Sequence, residues 1–385
     1  MTIYAGGHAQ VVAFFEDFLR QLRANPKIGY GVMVGVEEFT NDSMGGFVGD
    51  RLLDLKAEKA VRCVADHIAE LRVNRQMTPR DPHAPANLVI YNVPAGSICF
   101  DFLNWIIDAE MHRRMEGAPP PLKVHFWFGR NGTDGLYTER CKKMFEHVVK
   151  PSLELIGAIE HTDALKGRFY PTRHIHQLVT HSREGVEIPR FKAPDKALKQ
   201  MRKWLGDVKP ITITLREAED WPHRNSSLDA WIRFAKDREA EGETVIFVRD
   251  THKADEPLEE FRICPDASKN LISRCALYEL AKANLFVANG PCELGKFGSN
   301  PYLVFTQIEP EGSPYQANTA SFWQREALMD ILKNEQYPWA SPQQRVVYKK
   351  DTYENICAAW EEINVNIPAP HTLVLPSNPN GKFIE

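Results

Sequence analysis

The chain alternates short apolar runs with amphipathic stretches for most of its length. Leu88–Val93 is a continuous apolar run that stops at the turn Pro94–Ser97, and Phe100–Met115 follows with apolar residues at helical spacing. Lys123–Phe128 repeats the strand pattern and ends in Gly129–Gly132, before a helix over about 138–149. Leu153–Ile159 reads as a further strand or a short helix. The second half is cleaner. Ile211–Leu215 is β-branched, Thr244–Val248 and Leu285–Ala288 are buried runs, and Tyr302–Phe305 is a fourth. Helical patterns cover about 228–241, 273–283, 322–333 and 352–363. Strand, helix, strand, helix in this order predicts α/β architecture with parallel sheets. The four runs of the second half are expected in one sheet, separate from the sheet holding Leu88–Val93 and Lys123–Phe128. Residues 1–86 carry helical periodicity at Val11–Leu22 and Ala57–Arg72 and an apolar run at Ile28–Val34.

At 385 residues the chain is long for one core. The expected division is a Rossmann-like domain over 1–205 and a second over 206–385. The net charge of −4 argues against a nucleic-acid surface. No stretch approaches the ~18 apolar residues of a membrane span. No basic region followed by an apolar core opens the chain, so no signal peptide is expected and the expected location is cytoplasmic. Peripheral contact with a membrane stays open. Seven scattered cysteines, with no Cys-x-x-Cys pair, fit reduced thiols. His174 and His176 have metal-ligand spacing but no acidic or thiol partner nearby, so they read as loop or core histidines and no metal site is expected.

Three constellations carry candidate chemistry. Arg216 and Glu217 end one strand, and His223, Arg224 and Asn225 precede the next helix. Arginine forks and helix N-terminal amides both suit a pyrophosphate. The alternative is that Arg216 pairs with a local acid and Asn225 only caps the helix. Asn289, Gly290 and Pro291 form a glycine turn at a strand end, where backbone can approach a phosphate or a sugar. Asp101 stands in the first turn of its helix, as a candidate base or simply as a carboxylate favoured by the dipole. The chain has no Gly-x-x-x-x-Gly-Lys-Ser/Thr loop, no Gly-x-Ser-x-Gly elbow, no dinucleotide fingerprint at residues 92–101 and no Asp-x-Asp after a strand.

On Ile211–Arg216, His223–Asn225, Thr244–Asp250, Asn284–Pro291 and Tyr302–Phe305, the second half resembles the donor-binding domain of GT-B glycosyltransferases of the fucosyltransferase and heptosyltransferase types. The first half, on Leu88–Met115 and Lys123–Arg130, looks like proteins from bacterial surface-polysaccharide gene clusters. The His-x-Arg signature of the fucosyltransferases is not intact, because His223 and Arg224 are adjacent. The resemblance implies two Rossmann-like domains and transfer of a sugar from a nucleotide-sugar to a glycan or lipid-linked acceptor in surface polysaccharide synthesis. It implies no metal and no cofactor beyond the nucleotide-sugar co-substrate, with Arg216, Arg224, Asn225, Asn289, Gly290 and Pro291 at the donor and Asp101 as base. A catalytically silent GT-B-like binding or scaffold protein and a GT-B-shaped sugar-nucleotide epimerase are the alternatives.

Overall fold

The computed structural model describes residues 85–93, 98–128, 139–162, 168–169, 174–219, 221–311 and 318–364. The expected elements of residues 1–84 and the turn Pro94–Ser97 lie outside them. The described residues fall into two compact units, one holding 85–93, 125–128, 161–162 and 168–169, the other holding the rest.

Among the described residues, ten strands form two sheets, and every pairing described within them is parallel. The first sheet contains β1 (Leu88–Asn92), β2 (Lys123–Trp127), β3 (Ile159–Glu160) and β4 (Arg168–Phe169), in the order β3-β2-β1-β4. In chain order its strands are interleaved with α1 (Phe102–Met115), α2 (Glu139–Met144) and α3 (Lys150–Leu155), with a π-helical turn, Phe145–Val149, between the last two. The stretch 153–159 divides: α3 ends at Leu155, and Gly157, at φ 68, turns the chain into β3. Then come α4 (His174–Arg183), which carries His174 and His176, and α5 (Asp195–Leu205).

The second sheet holds β5 (Ile211–Thr214), β6 (Val245–Val248), β7 (Arg262–Ile263), β8 (Ala283–Val287), β9 (Tyr302–Phe305) and β10 (Gln344–Val347). Its order is β10-β9-β8-β5-β6-β7. All four runs expected to share one parallel sheet are in it. The chain builds β5, β6 and β7 outward in one direction, then crosses to the other side of β5 and builds β8, β9 and β10. This is the doubly wound order, with its topological switch point between β5 and β8.

Side chains alternate across the strands, so each face has its own partners. Ile211, Ile213 and Leu215 join Val245, Phe247, Leu285, Leu303 and Phe305 in one buried cluster. Trp231 and Phe234 of α6 (Leu228–Ala240) and Ile356, Trp360 and Ile363 of α11 (Tyr353–Asn364) pack into it. Thr212 and Thr214 point the other way and are buried too. Their hydroxyls are satisfied by Asn284 Oδ1 at 2.7 Å and by the Tyr278 hydroxyl at 2.7 Å. Tyr278 belongs to α8 (Leu271–Leu280), which follows α7 (Pro265–Lys269).

After β8 comes the short α9 (Cys292–Lys296), and after β9 comes α10 (Ala320–Glu326). The helix expected over about 322–333 breaks at Ala327. Leu328 takes a left-handed φ of 53, and a 3-10 turn, Ile331–Lys333, follows.

Candidate functional site

At the carboxyl ends of the second sheet, a solvent-open space lies at the switch point. Four strands supply its wall. His223, Arg224 and Asn225 come from the loop after β5, and Val287 and Ala288 from the end of β8. Phe305 ends β9, Gln307 and Glu309 follow it, and Lys349, Lys350 and Asp351 follow β10. Open α/β sheets bind ligands at such a crevice, because strand ends and helix starts leave backbone and loops free to face it.

The loop after β5 is held from within by Arg216, whose side chain is buried. Its Nη1 donates to Trp221 O at 3.0 Å and to Asn225 Oδ1. Asn225 Nδ2 donates in turn to Ala218 O at 2.8 Å, and Arg216 N to the Ser226 hydroxyl at 2.9 Å. The loop closes tightly enough that Trp221 adopts φ 54, and Pro222–Arg224 forms a 3-10 turn. This network turns His223 and Arg224 toward the pocket. Arg224 is half-buried, and its Nη2 donates to Ala288 O at 3.1 Å, so the guanidinium spans from the β5 loop to the end of β8. His223 is 47% exposed, with Nε2 3.6 Å from Glu309 Oε1. Glu217, next to Arg216, faces elsewhere and pairs with buried Arg249 at 2.6 Å. Burial works against its charge, but the hydrogen bonds and charge of Arg249, then of Lys253, hold its pKa below the ordinary value.

The N-terminus of α6 is not open to an anion in the way expected for a pyrophosphate site. Asp351 occupies it. Its Oδ2 accepts from Ser227 N at 2.7 Å and from Trp231 Nε1 at 2.7 Å, and its Oδ1 from the Ser227 hydroxyl at 3.0 Å. Ser227 is the N-cap residue but makes no side-chain cap of its own. A carboxylate from 124 residues downstream does that work, and it matches the positive end of the helix dipole.

The turn after β8 is committed to packing and capping. Asn289 Oδ1 accepts from Cys292 N at 3.3 Å, and Pro291 is the N-cap residue of α9. Asn289 Nδ2 is buried with no hydrogen-bond partner among the described residues. A Cβ at Gly290 would lie 2.4 Å from Phe100 Cδ2, so the glycine makes room for that ring. Asn289, Gly290 and Pro291 directly follow Ala288, but do not themselves line the space.

Asp101 is the N-cap residue of α1 without a side-chain cap; its Oδ2 accepts from Cys99 Sγ at 3.3 Å. The residue keeps exposed surface although protein crowds it on most sides. That crowding, then the charge of Glu293, raises its pKa. It does not line the space. Of the expected donor residues, Arg224 and Asn225 are brought together in the wall, while Arg216 stands behind them as their support. Glu309, Asn318, Lys349 and Lys350 were not singled out from the sequence. The sequence carries little signal for them: Glu309 follows the run Tyr302–Phe305, and Lys349 and Lys350 follow β10, whose Gln344 and Arg345 break any apolar run.

Among the described residues, no group of three or more His, Cys, Asp or Glu gathers as metal ligands, and no helix is long and apolar enough to cross a membrane. The His174 side chain lies outside the description.

The chain matches no protein-family model, and no curated protein matches it. Among solved structures, it is similar to a glycosyl transferase family 9 protein from Veillonella parvula DSM 2008, at TM-score 0.40 and 10% identity. The match covers 72% of this chain and 96% of that one. It is similar at the same TM-score and identity to TibC, an iron-containing dodecameric glycosyltransferase from enterotoxigenic E. coli H10407, covering 73% of this chain and 77% of that one. Overlap at this level assigns neither activity nor substrate.

Proposed function

We propose that the chain is a GT-B-type glycosyltransferase that moves a sugar from a nucleotide-sugar to a glycan or lipid-linked acceptor in surface polysaccharide synthesis. In this reading residues 206–385 bind the donor and residues 1–205 the acceptor. The observation that carries it is the space at the β5/β8 switch point, walled by Arg224 and two lysines on one hand and by the carboxylate of Glu309 on the other. A ligand with phosphates and hydroxyls matches that mixture: cations take the phosphates, and a carboxylate accepts from hydroxyls.

In transfer, the bond from the sugar to the diphosphate breaks and negative charge develops on the leaving diphosphate. Arg224, already positioned by Ala288 O, would offset that charge without reorganising. The proposed reaction therefore uses side-chain cations in place of a metal. Asp101 is the proposed base for the acceptor hydroxyl, and its raised pKa is the direction that suits proton abstraction near neutral pH.

The test is a thermal-shift screen against nucleoside diphosphates and nucleotide-sugars, followed by calorimetry on Arg224→Ala. A ligand of the native state raises the melting temperature by mass action. Loss of the charge-assisted contact should weaken the best ligand by about one to two powers of ten, and Arg224→Lys should recover part of it. Turnover should persist in EDTA. Absence of any shift across the screen, or unaltered affinity in Arg224→Ala, overturns the reading.

A further inference from the structure

We propose that Lys349 and Lys350 are a second cationic arm of this pocket and that its ligand carries a diphosphate, gripped by the arm together with Arg224. The inference rests on the donor reading above and adds residues to it from a separate strand.

The argument starts from the α6 N-terminus. Its first free amide, Ser227 N, donates to Asp351, as do the Ser227 hydroxyl and Trp231 Nε1. An anion arriving in the pocket therefore meets a carboxylate where bare helix amides would otherwise attract it, and its charge has to be matched by side chains. One guanidinium, Arg224, lines the pocket wall, and Lys349 and Lys350 line the same wall. Both lysines are exposed, and neither ammonium makes an ion pair among the described residues. The acids nearby do not neutralise them: Asp351 is engaged with α6, and Glu309 faces His223. A bound diphosphate supplies the opposite charge that neither ammonium finds among the described residues.

The backbone beneath the two lysines is fixed. Lys349 N donates to Val347 O at 2.8 Å, while Lys350 O accepts from Thr352 N and from Asn355 Nδ2, each at 2.9 Å. On one side Tyr348 is tied through its hydroxyl to Glu335 O at 2.7 Å, and on the other Asp351 is buried in the α6 cap. A segment pinned at both ends fixes where the two side chains leave the backbone, so binding has only the side chains left to order. Asp351 thus acts as a positioning residue: it closes the helix end to anions and holds the lysines where an anion can reach them.

The test is calorimetric titration of the full chain with inorganic pyrophosphate and with ADP, GDP, UDP, CDP and dTDP, at low and moderate salt. The Lys349→Ala/Lys350→Ala double variant should bind pyrophosphate about tenfold or more weakly than wild type, with a shallower salt dependence and an unchanged melting temperature. Lys349→Arg/Lys350→Arg should keep most of the affinity. Should the alanine pair fail to fold, Lys349→Gln and Lys350→Gln are read singly, each with a severalfold loss expected. Wild-type affinity in the alanine or glutamine variants, alongside weakened binding in Arg224→Ala, overturns the lysine arm and leaves the donor reading intact. If wild type binds neither pyrophosphate nor any nucleoside diphosphate, the two fall together.

Discussion

Two arginines eight positions apart do opposite jobs, and burial separates them. Arg216 is 8% exposed and spends its guanidinium on Trp221 O and Asn225 Oδ1. Replacing it with alanine leaves those acceptors without their donor and the β5 loop without its brace. Arg216→Ala should therefore cost about 1–3 kcal/mol of stability and lower the melting temperature. Arg224→Ala, which removes a half-buried side chain at the pocket, should melt close to wild type. Equal melting of Arg216→Ala and wild type would show that the brace is dispensable. The sequence marks both residues as flanking one strand-to-helix turn. It does not separate them, because the direction each side chain takes depends on Trp221 entering the left-handed region, which few tryptophans do.

Among elements, the turn between β8 and α9 shows how far pattern alone reaches. Gly290 is legible as a glycine turn at a strand end, but the reason for the glycine is the ring of Phe100, from the far side of the sequence. Gly290→Ala should cost about 1–3 kcal/mol, because the Phe100 Cβ, Cγ and Cδ2 atoms all lie within 2.9 Å of the added methyl. Phe100→Ala in the same chain should recover part of that loss. Melting curves for the two single variants and the double form the cycle, and strict additivity would refute the contact. The central strands were readable because both of their faces are buried, which leaves continuous apolar runs. The edges were not. β7 is two residues long, and β10 opens with Gln344 and Arg345, which read as loop. Missing β10 also hid the lysines that follow it.

Across the whole molecule, stability should respond to pH through Asp108. It is fully buried on α1, 3.6 Å from His112 Nε2, and burial pushes its pKa up to about 8. An unfolded aspartate releases its proton near pH ~3.9. Between about pH 4 and 8 the unfolded chain has lost a proton that the folded chain keeps, so this residue makes stability fall as pH rises through that window. Asp108→Asn should remove the dependence, and its melting temperature relative to wild type should climb from pH 5 to pH 8. A constant difference at both pH values would mean that Asp108 is ionised in the folded state throughout.

The cap on α6 also sets an order of events during synthesis. Ser227 emerges 124 residues before Asp351. At ~5–20 residues per second, the helix waits roughly 6–25 seconds for the carboxylate that closes its end. Until then Ser227 N, the Ser227 hydroxyl and Trp231 Nε1 lack the carboxylate that they share in the finished fold.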